Sequence, residues 1–302
     1  MPAFLGTLEL DRQANTSFDE KASAMIAKHS LPEVVVSPLS EPASPTSPTL
    51  APAKTKPIDT DLALVLENAA YGFKRPNILD IKLGVRLWAD DAKQEKKDRF
   101  DAVTRETTHK DLGFRIAGMR VWQGPEAENQ PLKRINHCIT TTRDGYRIYD
   151  KNYGKDDVNT DNIVDAMKEF IFIGEAGIDE ELGSLVAQAF LADLERIQEV
   201  LENEESKMYS ASLLFVFEGD GEALRLAMEE ASKTPPTSEE DADEDEDQDD
   251  EDEDECYIPK IYAVKVIDFA HAEWTPGEGP DENALVGIRS VNRILRELSG
   301  DI

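Results

Sequence analysis

The sequence predicts an α+β fold, and three observations carry that expectation. Short apolar runs bounded by proline, glycine or polar residues recur along the chain, as in Leu62–Glu67, Pro76–Gly84 and Gly113–Trp122, and read as strands. Elsewhere apolar residues return at three-and-four spacing. In Asp179–Glu204, Leu182, Leu185, Val186, Ala189, Phe190, Leu194, Ile197 and Leu201 line one helical stripe, which reads as core rather than a ligand site. The 302 residues suffice for one large or two modest domains.

Charge narrows the function classes. Lys and Arg total 33 against 63 Asp and Glu, a formal net charge of -30. Half of that charge sits in Glu239–Glu255, which has 15 acidic residues and no basic one. An acidic chain is a poor match for a nucleic-acid backbone, where Lys and Arg supply the affinity. Cys138 and Cys256 are the only cysteines, so there is no disulfide framework and a reducing compartment fits. No apolar run approaches the roughly 20 residues that span a bilayer. The first residues lack a basic stretch followed by an apolar one, so they do not read as a secretory signal. These features place the expected protein in the nucleus and cytoplasm.

Taken in order, Phe18–Ser30 reads as a short helix and the Pro- and Ser-rich segment 37–57 as a disordered loop. Leu62–Glu67 reads as a buried strand. In P-N-I-L-D-I-K-L-G, residues 76–84, Ile78, Leu79, Ile81 and Leu83 make a second strand. Asp80 and Lys82, two apart, share one of its faces. On spacing alone that pair is equally a half-buried salt bridge or a pair that handles a phosphorylated ligand. Asp90–Thr107 reads as a helix in which Lys93, Lys96 and Lys97 occupy neighbouring positions, joined by Arg99. A solvated face is the ordinary meaning of such a run. A basic cluster 11 to 17 residues after Lys82, in so acidic a chain, also suits a polyanionic ligand. Further on come a strand and turn over Arg143–Lys155 and a helix over Thr160–Phe172, capped by Thr160 or Asp161. Met208–Glu218 and Tyr262–Phe269 read as central strands, and Pro280–Leu298 as an amphipathic helix. The insertion 234–256, dominated by like charges, reads as disordered.

Three ordered segments carry a resemblance. Pro76, Asp80, Lys82 and Gly84 match the P-x-x-x-D-x-K-x-G signature of the inositol polyphosphate kinases. Ser212-Leu213-Leu214 resembles that family's S-S-L-L segment with Ala211 in place of its first serine, and Ile267-Asp268-Phe269-Ala270-His271 resembles its I-D-F-A-H segment. The similarity runs from Phe4 to about Leu298, outside the two low-complexity insertions. It implies a two-lobed kinase-like α+β fold with antiparallel sheets and packed helices. Residues 1–69 would form an amino-terminal lobe and 70–302 a carboxy-terminal one, with segment 89–108 binding inositol phosphate. In the family, strands and an ATP-contacting lysine precede the counterpart of F-L-G-T-L-E-L, so the sequence reads as lacking that segment. A truncated gene model or an internal start would both produce it.

The resemblance also implies chemistry. Phosphoryl transfer asks for positioning and charge neutralisation more than covalent work by the protein. Glu67 and Ala69 would hold the adenine of ATP. Asp268, at a strand end where a carboxylate reaches a metal, would ligate Mg²⁺, for which one or two carboxylates suffice. Lys82 would bind the acceptor's reacting end. Asp80 would bind the ATP ribose, orient the acceptor hydroxyl, or do both. Lys96 matches a substrate-binding lysine, with Lys97 and Arg99 beside it. Lys151 precedes Y-G-K, which resembles the family's Y-G-R, and His271 is either a substrate contact or a structural histidine. The short interval between Gly84 and Gly113 resembles the fungal-type multikinases, which implies stepwise phosphorylation of inositol 1,4,5-trisphosphate and tetrakisphosphate to pentakisphosphate, with a phosphoinositide lipid as a further acceptor. The hexakisphosphate kinases share the short interval and are the alternative. A reading of another class is a scaffold with weakened catalysis that binds basic regulatory proteins through its acidic tract.

Overall fold

The computed structural model of the protein describes residues 1–9, 62–127, 137–233, 260–269 and 271–300. The expected helix Phe18–Ser30, the loop 37–57 and the insertion 234–256 lie outside the described residues. The chain divides into two units, residues 3–67 and residues 1–2 with 68–302. In the smaller, β1 (Phe4–Glu9) pairs antiparallel with β2 (Leu62–Leu66), Thr7 opposite Leu64. Among the described residues no helix is long and apolar enough to cross a membrane.

The larger unit follows in the order β3 (Pro76–Leu83), α1 (Gln94–Glu106), α2 (His109–Leu112), β4 (Phe114–Trp122), β5 (Ile139–Thr141), β6 (Tyr146–Tyr149), α3 (Ile163–Ile171) and α4 (Glu180–Asn203). Then come β7 (Ser206–Met208), β8 (Ser212–Glu218), α5 (Gly221–Lys233), β9 (Tyr262–Ile267), β10 (Ala272–Trp274) and α6 (Glu282–Ser299). Six strands form an antiparallel sheet ordered β5-β6-β4-β3-β8-β9, while β7 and β10 pair separately. β3 is interior because both of its faces have work. Leu79, Ile81 and Leu83 are at most 1% exposed on the core side, and Ile78, Asp80 and Lys82 alternate onto the other. Beneath the core side, Phe190 of α4 meets Phe215 of β8 at 5.1 Å between ring centroids and Phe170 of α3 meets Phe217 at 5.3 Å, both edge to face.

Several element boundaries differ from those the sequence suggests. The first long helix begins at Gln94, so Lys93 stands at its cap position and Asp90–Ala92 belong to the preceding turn. α3 starts at Ile163, not behind a Thr160 or Asp161 cap. Asn162 at its entry spends its side chain on the turn before it, accepting from Asn159 N at 2.7 Å and donating to Asp157 O at 2.8 Å. Met208–Glu218 is two strands, broken where Ser210 turns left-handed at φ 60°. β9 is an edge strand and ends at Ile267, and Leu185 faces solvent at 41% exposure. α5 has no counterpart in the sequence reading.

One buried carboxylate ties the last helix to β7. Asp281, 3% exposed, caps α6 by accepting from Ala284 N at 3.0 Å and also accepts from Met208 N, at the end of β7, at 2.6 Å. Asp281→Ala leaves both donors without a partner and lowers unfolding stability by about 2 to 3 kcal/mol, from the cap and one orphaned buried N–H. A shift of the urea midpoint with unchanged slope measures it.

Candidate functional site

The site is a row across the face of the sheet that carries Asp80 and Lys82. In register, Arg115 of β4 lies opposite Lys82 of β3, Lys82 opposite Ser212 of β8, and Ser212 opposite Ile267 of β9, which delivers Asp268 one residue later. Antiparallel partners on one face stand about 4.5 to 5.5 Å apart at Cβ. Residues 33, 130 and 186 positions from Lys82 are thereby gathered around one ammonium. Its Nζ donates to Asp268 Oδ2 at 2.8 Å and to Ser210 O at 2.9 Å. Ser212 Oγ donates to the same Asp268 Oδ2 at 3.3 Å.

Asp80 lies one pleat along the same face. Burial pushes its carboxyl above the usual range, and nearby Asp268 adds to this, while Ser212, Lys82 and Arg115 pull the other way. Its Oδ1 is buried and accepts no hydrogen bond. A β-bulge adjoins it, since Asp80 faces Gly118 and Ile81 faces Ile116, leaving Ala117 as the extra residue of β4. Gly154 packs at this bulge: a Cβ there would stand 1.9 Å from Ile116 O, so Y-G-K requires glycine.

Arg115 escaped the sequence reading because G-F-R-I-A-G reads as an alternating strand, and only the register puts it beside Lys82. Its Nη1 donates to Lys151 O at 3.0 Å, and burial lowers its pKa while Asp80 and Asp156 hold its charge. Lys151 thus meets the site through its backbone, with its side chain exposed. His109 of α2 is fully buried. Its pKa is depressed to about 4 by burial and by the cations of Arg115 and Lys82. Neither ring nitrogen reaches full hydrogen-bond geometry, and the Gly84 backbone works against the depression by raising the pKa.

The other expected residues divide. Lys96 Nζ lies 3.4 Å from His271 Nε2, so those two meet. Lys97 turns away, donating to Asp90 O at 2.8 Å with its ammonium 4.6 Å from the centre of the Trp88 ring. The expected common lysine face therefore splits, since adjacent helical residues point about 100° apart. Arg99 is exposed, its guanidinium 5.1 Å from the Phe100 ring. Arg86 sits 3.9 Å from the Trp88 ring and 4.8 Å from that of Tyr209, and pairs with Asp90. This packing fixes the turn between β3 and α1. Glu67 closes β2, its backbone donating to Ala3 O at 2.8 Å and its carboxylate accepting from Ala3 N at 3.3 Å, and Ala69 is buried in the larger unit. An open cavity of about 330 Å³ beside His271 is lined by Asp90, Asp91, Tyr209 and Glu273.

Residues 63–296 match the inositol polyphosphate kinase family, and the chain belongs to it. It is 31% identical over 239 residues to the inositol polyphosphate multikinase of Saccharomyces cerevisiae, covering 76% of this chain and 66% of the relative. Inositol hexakisphosphate kinase 3 of Mus musculus is 27% identical over 78% of this chain and 50% of its own length. The chain thus spans about two thirds of the first and half of the second. Among solved structures, the S. cerevisiae multikinase Ipk2 with ADP and Mn²⁺ superposes with a TM-score of 0.60 at 32% identity, over 78% of this chain and 83% of that one. The kinase-like α+β fold that the resemblance implied is borne out.

The electrostatics make a stability prediction. A carboxyl whose folded-state pKa lies above its unfolded value costs stability once the pH rises through the folded pKa. Asp80→Asn removes that cost, so the variant melts higher than wild type at pH 7 and equally at pH 3. Thermal unfolding at the two pH values checks both signs.

Proposed function

We propose that this chain is an ATP-dependent inositol polyphosphate multikinase that phosphorylates inositol 1,4,5-trisphosphate and tetrakisphosphate stepwise to pentakisphosphate. The observation that carries the reading is Lys82, an ammonium held between Asp268 and Ser210 and flanked across the sheet by Arg115. Two cations beside two carboxylates suit a reaction whose acceptor and transferred group are anionic and whose donor arrives with a divalent cation.

The residues fit such a cation. Among the described residues no cluster of three or more His, Cys, Asp or Glu side chains forms a metal cage. Mg²⁺ does not need one, since it keeps waters and phosphate oxygens in its shell. Asp268 is 52% exposed and Asp80 presents an unpartnered oxygen, a hard oxygen-donor set that suits Mg²⁺ or Mn²⁺. A divalent ion held there would supply positive charge against the phosphates of ATP. Asp268 would hold it, and Lys82 with Arg115 would bind the acceptor and offset charge on the transferred group. Lys96 and His271 would grip a second phosphate. Asp80 would accept the hydrogen bond of the attacking hydroxyl, for which burial keeps its basicity above that of an ordinary carboxylate.

The similarity to fungal multikinases supports the choice among acceptors, and a phosphoinositide headgroup offers the same phosphate chemistry. We assign the acidic run Glu239–Glu255 to binding of basic regulatory proteins, separate from catalysis. The protein is incubated with Mg-ATP and inositol 1,4,5-trisphosphate and its products are separated by charge. Tetrakis- and then pentakisphosphate are expected. Asp268→Ala and Lys82→Ala each lower turnover by about 10²-fold or more without unfolding, the scale of losing a charge aimed at the transition state. Consumption of the hexakisphosphate alone would reassign the chain to the hexakisphosphate kinases.

A further inference from the structure

Lys82 is placed to meet an anionic acceptor, yet two of its three N–H groups are already engaged. Both acceptors lie on unusual backbone. Ser210 at φ 60° and Asp268 at φ 67° are the only non-glycine residues with positive φ among the described residues. Backbone of this kind persists where its surroundings over-determine it. Here the two left-handed residues converge on one ammonium from separate strand ends, Ser210 with its carbonyl and Asp268 with its carboxylate. Ser210 is itself fixed through Oγ, which donates to Leu87 O at 2.9 Å. The oxygen that Lys82 occupies, Asp268 Oδ2, belongs to the carboxylate assigned above to the divalent cation.

An ammonium and a divalent cation repel when they share one carboxylate. We propose that the Lys82–Asp268 pair is a latch that withholds Lys82 from the acceptor until a divalent cation occupies Asp268. The inference rests on the kinase reading of this site. Cation and polyphosphate binding then reinforce each other, and the coupling is reciprocal by linkage. Ser210 O keeps its single bond to the released ammonium, which stays on the sheet face while its remaining donors turn to a phosphate oxygen.

A double-mutant cycle isolates the latch from the general effect of charge. Inositol 1,4,5-trisphosphate is titrated by calorimetry, without metal or nucleotide, into wild type, Asp268→Asn, Lys82→Met and the double variant. Asparagine tolerates the left-handed backbone at 268. Asp268→Asn tightens binding about fivefold in the wild-type background, the upper range for a partly exposed ion pair. In the Lys82→Met background the same substitution has little effect. Equal tightening in both backgrounds, or none in the first, overturns the latch. A second arm adds Mg²⁺ and ADP: wild type gains affinity for the trisphosphate and Asp268→Asn does not. If a variant fails to fold, by circular dichroism, the wild-type arm decides, because absence of that gain also overturns the latch. Failure of wild type to bind trisphosphate in either condition refutes the acceptor class and the latch with it. Binding without coupling refutes the latch alone.

Discussion

The period-two alternation of β3 is the constraint on which the rest depends. One face of this strand supplies Leu79, Ile81 and Leu83 to the core and the other supplies Asp80 and Lys82 to the site. A one-residue slip would exchange the two faces, burying a carboxylate and an ammonium and exposing three core side chains. The burial of each such aliphatic side chain is worth about 1.5 to 3 kcal/mol, so the core itself holds the register. Alignment of the candidate site and hydrophobic packing are therefore one specification, and the neighbouring strands inherit it. Arg115 and Ser212 are brought to Lys82 by the ladders that also bury Phe114, Ile116, Leu213 and Phe215.

Part of this was legible in the sequence. The alternation of β3 puts Asp80 and Lys82 on one face, while their reading as site residues, and that of Asp268, came from the family resemblance, since spacing alone left it open. What escaped needs partners distant in sequence. Arg115 has no local mark as a site residue, because a strand arginine becomes one only through its cross-strand neighbour. Lys96 and Lys97 diverge by helical geometry, and where the Lys97 ammonium then settles depends on Trp88 and the Asp90 carbonyl. The break after Met208 escaped because no glycine or proline announces it. Serine adopts the left-handed turn there through its own hydrogen bonds. Helix entries were misplaced where a polar residue closes a turn instead of capping, as Asn162 does.

Charge is organised in the larger unit against the acidity of the whole chain. The cavity beside His271 carries Asp90, Asp91 and Glu273, while Lys96 approaches His271 itself. An anionic ligand is thus attracted by a small number of placed cations and repelled by their surroundings. This favours a ligand whose charges are concentrated and correctly spaced over one that is merely acidic. His109, fully buried, contributes by staying neutral near Arg115 and Lys82, adding no third charge to a crowded interior.

The antiparallel order of the central sheet has a consequence for synthesis. β3 emerges from the ribosome with β4 close behind, but its other neighbour, β8, and the carbonyl of Ser210 come 128 residues after Lys82. At about 5 to 20 residues per second that interval lasts roughly 6 to 26 seconds. For that time one edge of β3 waits unpaired, and Asp268 follows later still. A nascent chain in this state has much of its hydrophobic surface and none of its assembled site. Chaperone demand should therefore peak just before β8 is made, and a transcript interrupted there yields an aggregation-prone fragment, not a weak enzyme.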